Sequence, residues 1–223
     1  MPSPAQAIVF DFNGTLSNDE EILAWIYAAL MGREGRPLTQ ADYTRELAGN
    51  TDEAIFASWL GLDEGSERVA ALMRERIAAY RAVAADGATV TAAVRHAVRL
   101  AAAHVPIAVA SGAARAEIEP VLMAAGLGEV LKTIVAADDV THGKPHPETY
   151  TRALAALDVV AGRPLDPGAV VAFEDTEAGI RAAKSAGLRC IAVRGTVPDE
   201  RLREADELVA ALDLAVIARL VAG

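Results

Sequence analysis

Short, almost wholly apolar runs alternate along the chain with longer stretches in which apolar residues recur every three or four positions. The runs cover residues 7–12, 105–111, 133–136, 169–174 and 189–193 and are rich in Val, Ile and Ala. The stretches at 92–103, 115–125, 147–157 and 176–186 carry the period of an amphipathic helix. A run that is apolar at successive positions has no polar side to show to water, so it reads as a strand buried on both faces. Strands alternating with helices in this way predict an α/β fold built on a parallel sheet.

Residues 18–84 break the pattern. They hold no such run, and instead predict helices at 20–31, 51–60 and 66–81, the first with Ile22, Leu23, Ile26 and Leu30 on one face. Ser17-Asn18 and Ala84-Ala85-Asp86-Gly87 read as boundaries. The expected organisation is a core of residues 1–17 and 85–223 with a helical cap, 18–84, inserted after the first strand.

Composition narrows the partners. Apolar residues make up 52 % of the 223 positions but aromatics only 4 %, so the core is mostly Ala, Val, Leu and Ile. A formal net charge of −10 repels nucleic acid and anionic lipid, and an anionic substrate would need a metal or a locally positive pocket. The single cysteine, Cys190, lies in the apolar run "CIAV" and reads as a buried core thiol. The start "MPSPAQAIVF" has neither a basic region nor a long apolar segment, and no run approaches a membrane span. These features predict a cytoplasmic protein with no membrane partner.

In an open parallel sheet, ligands bind beyond the carboxyl ends of the strands. The first strand ends in Asp11, followed by Asn13, Gly14 and Thr15; the second ends in Ser111-Gly112; the fourth ends in Glu174-Asp175-Thr176; Lys144-Pro145 follows the third. Each alone is an ordinary cap, turn or surface residue. Together they place acids, a hydroxyl and a lysine on one rim. A carboxylate there can attack phosphorus. Neighbouring carboxylates would repel a phosphate unless a hard cation such as Mg²⁺ lay between them.

The order of these segments resembles the haloacid dehalogenase-like hydrolases. "DFNGT" stands where that superfamily has D-x-D-G-T, followed by "IAVASG", "GKPHPETY" and "VVAFEDTEAGIRAAKSAG". The pattern is most similar to the β-phosphoglucomutase and phosphoglycolate phosphatase branch. The resemblance implies a Rossmann-like core with a cap, and Asp11 as nucleophile. It further implies Mg²⁺ held by Asp11, the Asn13 carbonyl and Asp175 with help from Glu174. Ser111, Gly112 and Lys144 would hold the phosphoryl group, with Thr15 bracing the turn. The implied partner is a small phosphorylated metabolite, and the implied assembly a monomer or homodimer.

Asn13 departs from the pattern. In the family's phosphatases the second Asp of the first motif protonates the leaving oxygen and activates water, which an amide cannot do. General acid–base catalysis is worth roughly 10²–10⁴-fold. Four readings stay open: a slowed phosphatase, a phosphometabolite binder, an engineered trap, or an Asn-Gly that deamidates back to a carboxylate. By the same reading, Asn13→Asp raises the rate. Other family chemistries fit less well. The lysines are Lys132, Lys144 and Lys184, so the cap holds none for a Schiff base. Asp52 lies where mutases of the branch have an arginine for a second phosphate. Dehalogenases lack the Glu174-Asp175 motif.

Within the cap, Arg45, Gly49, Asn50 and Thr51, with Tyr43, are candidate substrate contacts; Arg45 is among the few cations near that loop but reads more as a solvated helix residue than as a ligand, and Trp25 and Trp59 are expected to pack inside the cap. The histidines, His96, His104, His142 and His146, show no metal spacing; the first two are expected at the surface and the last two beside the Lys144 loop.

Overall fold

The computed structural model describes residues 4–222. One sheet of six parallel strands runs in the order β3-β2-β1-β4-β5-β6. The strands are β1 Ala7–Phe10, β2 Ile107–Ala110, β3 Ile134–Val135, β4 Val170–Glu174, β5 Arg189–Val193 and β6 Glu207–Val209. Every residue of β1, β2 and β4 is buried, as continuous apolar runs require. The first five strands match the apolar runs, trimmed where residues such as Asp11 turn out of the sheet. β6 was not foreseen, because the three residues Glu207, Leu208 and Val209 make no apolar run.

The core helices are α5 Ala92–His104, α6 Arg115–Ala124, α7 Glu148–Ala161, α8 Glu177–Ser185 and α9 Leu214–Val221. Thr91, Thr176 and Asp213 accept hydrogen bonds from the first turns of α5, α8 and α9. Cys190 is buried and free, and burial pushes its thiol pKa up.

Between β1 and α5 lie α1 Glu20–Arg33, α2 Gln40–Asp42 running into a π-turn Tyr43–Leu47, α3 Asp52–Leu60 and α4 Glu67–Ala84. Tyr27 stacks on Tyr43 at 5.4 Å and meets Phe56 at 5.3 Å, forming this unit's aromatic centre. Trp25 does not pack inside it: on α1 it faces away from that centre and is 64 % exposed, correcting the expectation. Trp59 does pack, and donates its indole N–H to the Arg36 carbonyl at 3.1 Å. Arg201, from the core, donates to Glu177 at 2.7 Å and to the Ala48 carbonyl at 3.1 Å, tying the helical unit to the core.

The strand order places β1 beside β4, with the later strands on the other side from β2 and β3, so the crevice opens at the carboxyl ends of β1 and β4. Phe10 pairs with Phe173, and the Asp11 amide donates to the Phe173 carbonyl at 2.9 Å. Asp11 therefore emerges next to Glu174. The chain then turns through Gly14 at φ +69°, where a Cβ would stand 1.8 Å from Asp175 Oδ2. Gly61 has nearly the same φ, +68°, and open space. Both Gly→Ala changes carry the left-handed backbone cost of about 1–2 kcal/mol. Gly14→Ala adds overpacking of about 1–3 kcal/mol against Asp175. Chemical denaturation of the two variants should show Gly14→Ala clearly the less stable; equal losses would mean that Asp175 yields freely.

Candidate active site

Asp11, Glu174 and Asp175 are all buried, and their carboxylates offer oxygens within 4.8 Å of one another. Glycine makes room for this crowding twice: at Gly14, and at Gly179, where a Cβ would lie 2.0 Å from the Glu174 carboxyl. Lys144 answers the charge. Its ammonium donates to Asp11 Oδ1 at 2.6 Å, Glu174 Oε1 at 2.5 Å and the Ala110 carbonyl at 3.0 Å. Tyr150 donates to the same Glu174 oxygen at 2.6 Å. Glu174 Oε2 takes the Asp175 amide at 3.2 Å.

Burial pushes the Asp11 pKa up to about 7, with Lys144 opposing the rise and Glu174 adding to it. For Lys144, burial favours loss of the proton, but Asp11 and Glu174 outweigh it and hold the pKa above the usual range. Asp175 is raised well above an ordinary carboxyl by burial and then by Asp11 and Glu174. Its Oδ2 is buried without a hydrogen-bond partner. Closely grouped oxygens with one left unsatisfied fit a hard divalent cation, which takes oxygen ligands and offsets their repulsion.

Asn13 is held by a residue that the sequence reading passed over. Asp19 precedes α1 at its N-cap, yet its side chain does not cap the helix. It accepts from Asn13 Nδ2 at 2.8 Å, from the Gly14 amide at 3.3 Å and from the Tyr80 hydroxyl. Burial raises the Asp19 pKa, and bonds from Ser17, Tyr80 and Asn13 oppose the rise. Next to it, Glu20 opens α1 and lines the cavity. Burial, then the charge of Asp19, pushes its pKa up to about 7, against a bond from Tyr43.

A family profile described as haloacid dehalogenase-like hydrolase matches residues 8–193. The chain belongs to the haloacid dehalogenase-like hydrolase family. It is 34 % identical to the validoxylamine A 7'-phosphate phosphatase of Streptomyces hygroscopicus subsp. limoneus, covering 90 % of this chain and 91 % of that one. The fructose-1-phosphate phosphatase YqaB of Escherichia coli is 29 % identical, over 84 % of this chain and 95 % of its own. Among solved structures, a CbbY mutant from Rhodobacter sphaeroides in complex with xylulose-(1,5)bisphosphate superposes with a TM-score of 0.79 at 29 % identity, covering 93 % and 95 % of the two chains.

The family's rim and the helical unit enclose one cavity of about 450 Å³. Asp11, Asn13, Ser111, Gly112, Lys144 and Asp175 line it from the core, and Gly49, Asn50 and Thr51 from the helical unit. Glu174 stands behind, fully buried, as a support for Lys144 and Asp175. Thr15 is buried in the turn it is expected to brace and does not line the cavity. One expectation is corrected. Arg45 is exposed and paired with Asp42 and Glu46 at 2.6 Å, so it is drawn to its own helix and faces a separate depression beside Arg201.

His96 and His104 are exposed, as expected. The spacing argument missed that His142, His146 and Glu148 come together, with ring centroids 4.8 Å apart. These histidines are exposed, and Glu148 accepts the Thr141 and His142 amides, which shapes the loop carrying Lys144. Tyr27, Arg76 and Glu117, also on the cavity wall, gave no signal beyond helix periodicity. Glu20 gave only that of an acidic first turn.

The Asn13–Asp19 bond makes a stability prediction. Asn13→Asp sets a part-buried carboxylate against the buried Asp19, for a loss of roughly 1–3 kcal/mol at neutral pH. One of the two then has a raised pKa, so the deficit widens as pH rises through it and narrows in acid. Thermal melts of Asn13→Asp and of Asn13→Asp/Asp19→Asn should show the second change restoring most of the loss. Additive losses would contradict the pairing.

Proposed function

We propose that this member of the family is a Mg²⁺-dependent phosphatase acting on a small sugar-phosphate-like monoester through an Asp11 phosphoenzyme, with turnover held down by Asn13. The activities in the names of its relatives support phosphomonoester hydrolysis. The observation that carries the reading is the Asp11 carboxylate beside the unsatisfied Asp175 oxygen and the Lys144 ammonium.

Asp11 attacks phosphorus, the bond to the leaving oxygen breaks, and that oxygen takes a proton from water. Water then attacks the acyl phosphate, releasing inorganic phosphate and restoring the carboxylate. Lys144 compensates charge throughout. Its contact with Asp11 is the one that a phosphoryl oxygen would take over. Ser111 and Gly112 line the same cavity and would orient the phosphoryl group. Asp11, Asp175 and the Asn13 carbonyl would hold the cation, with Glu174 behind them. When bound, it supplies charge neutralisation at the phosphoryl oxygens.

The buried partner of Asn13 supports the amide as integral to this chain, because an aspartate there, placed or produced by deamidation, would meet Asp19. The same bond favours a second reading. With the acid–base position locked to a hydrogen-bond donor, the protein would bind a phosphorylated metabolite without turning it over.

With Mg²⁺, hydrolysis of p-nitrophenyl phosphate is expected. Asp11→Asn should lower it by roughly 10³-fold or more, and Asn13→Asp/Asp19→Asn should raise it by roughly 10²–10⁴-fold. Under the binding reading, wild type is as inert as Asp11→Asn, yet phosphate with Mg²⁺ still raises its melting temperature. Turnover untouched by Asp11→Asn would overturn both.

A further inference from the structure

The far wall of the cavity is formed by the helical unit and α6. Arg76 is its cation, and it is already committed. It is buried, pairs with Glu117, approaches Asp52 at 3.3 Å, and lies over the Tyr27 and Tyr80 rings at 5.9 and 5.8 Å. Tyr27 also donates to Asp52. One guanidinium therefore faces two carboxylates, and Glu20 adds a third whose bond is from the Tyr43 hydroxyl at 3.2 Å. The other cavity cation, Lys144, has three acceptors of its own on the opposite wall. A second phosphate or a carboxylate entering this end would meet uncompensated negative charge, which costs several kcal/mol in like-charge contacts.

One polar group on this wall keeps capacity to recognise something else. Arg76 Nε is sealed from the cavity and has no hydrogen-bond partner, so the guanidinium offers nothing further to an anion. Glu20 lines the cavity and offers acceptor capacity beyond its bond from Tyr43. An acceptor beside the stacked Tyr27 and Tyr43 suits a hydroxylated ring, with apolar C–H faces and polar edges. A cavity of about 450 Å³ would be mostly empty around a two-carbon acid.

We propose, resting on the phosphatase reading above, that the cavity selects monophosphates whose leaving group is a hydroxylated ring of hexose size or larger bearing no second anion. Glu20 accepts from a ring hydroxyl or a ring ammonium.

The test is a kcat/KM panel with Mg²⁺: glucose 6-phosphate, glucosamine 6-phosphate, glucose 1,6-bisphosphate, phosphoglycolate and p-nitrophenyl phosphate. Glucosamine 6-phosphate should match or exceed glucose 6-phosphate. The bisphosphate and phosphoglycolate should fall about 10²-fold or more below it. Glu117→Gln should release Arg76 from one carboxylate and narrow the bisphosphate deficit; should that variant fail to fold, the wild-type panel decides. A bisphosphate or phosphoglycolate used as well as glucose 6-phosphate overturns the inference. So does a roughly tenfold preference for glucose 6-phosphate over its amino analogue. If p-nitrophenyl phosphate is still hydrolysed in an Asp11-dependent way, the phosphatase reading survives that outcome. If no ester is hydrolysed, both fall.

Discussion

Three carboxylates crowd the carboxyl ends of two neighbouring strands, and much of the surrounding structure offsets their repulsion. At 4.8 Å, two such charges repel by about 3–4 kcal/mol in an effective dielectric of ~20. The sheet register forces the approach, since Asp11 leaves β1 where Glu174 ends β4. Gly14 and Gly179 remove the side chains that would block it. Lys144, reaching across to two of the acids and the Ala110 carbonyl, supplies the compensating charge that the chain itself owns. Under the proposed function, that cost falls where a cation and a phosphoryl group would bind.

The same reasoning extends to the first motif's amide. A second acid beside the buried Asp19 would raise the local repulsion again, whereas Asn13 donates to it. Asp19 gives up capping α1 to make that bond, so one helix terminus is traded for a fixed turn. Asn13 and Asp19 are thus one unit.

Much of this was legible in the sequence, because continuous apolar runs leave few alternatives. β1, β2, β4 and β5 follow from burial on both faces, and the acids follow from their place at the ends of such runs. What was not legible depended on contacts distant in sequence. Asp19 drew no reading from the sequence, since only folding brings Tyr80 and Asn13 onto it. Arg45 was the cation near the cap loop by sequence, whereas Arg76, much further along, is the one on the cavity wall. β6 and Trp25 failed for the opposite reason: a strand of only three residues and an exposed tryptophan both escape the hydrophobic pattern.

The claim underneath is that the rim of β1 and β4 gathers a divalent cation and a phosphoryl group on Asp11. A crystal structure grown with Mg²⁺ and fluoroberyllate tests it directly. The account predicts the fluoroberyllate bonded to an Asp11 carboxylate oxygen, a cation between it and Asp175, and Lys144 turned onto the fluorides. An unmodified Asp11 still bridged to Glu174 by Lys144, with the anion elsewhere, would contradict it.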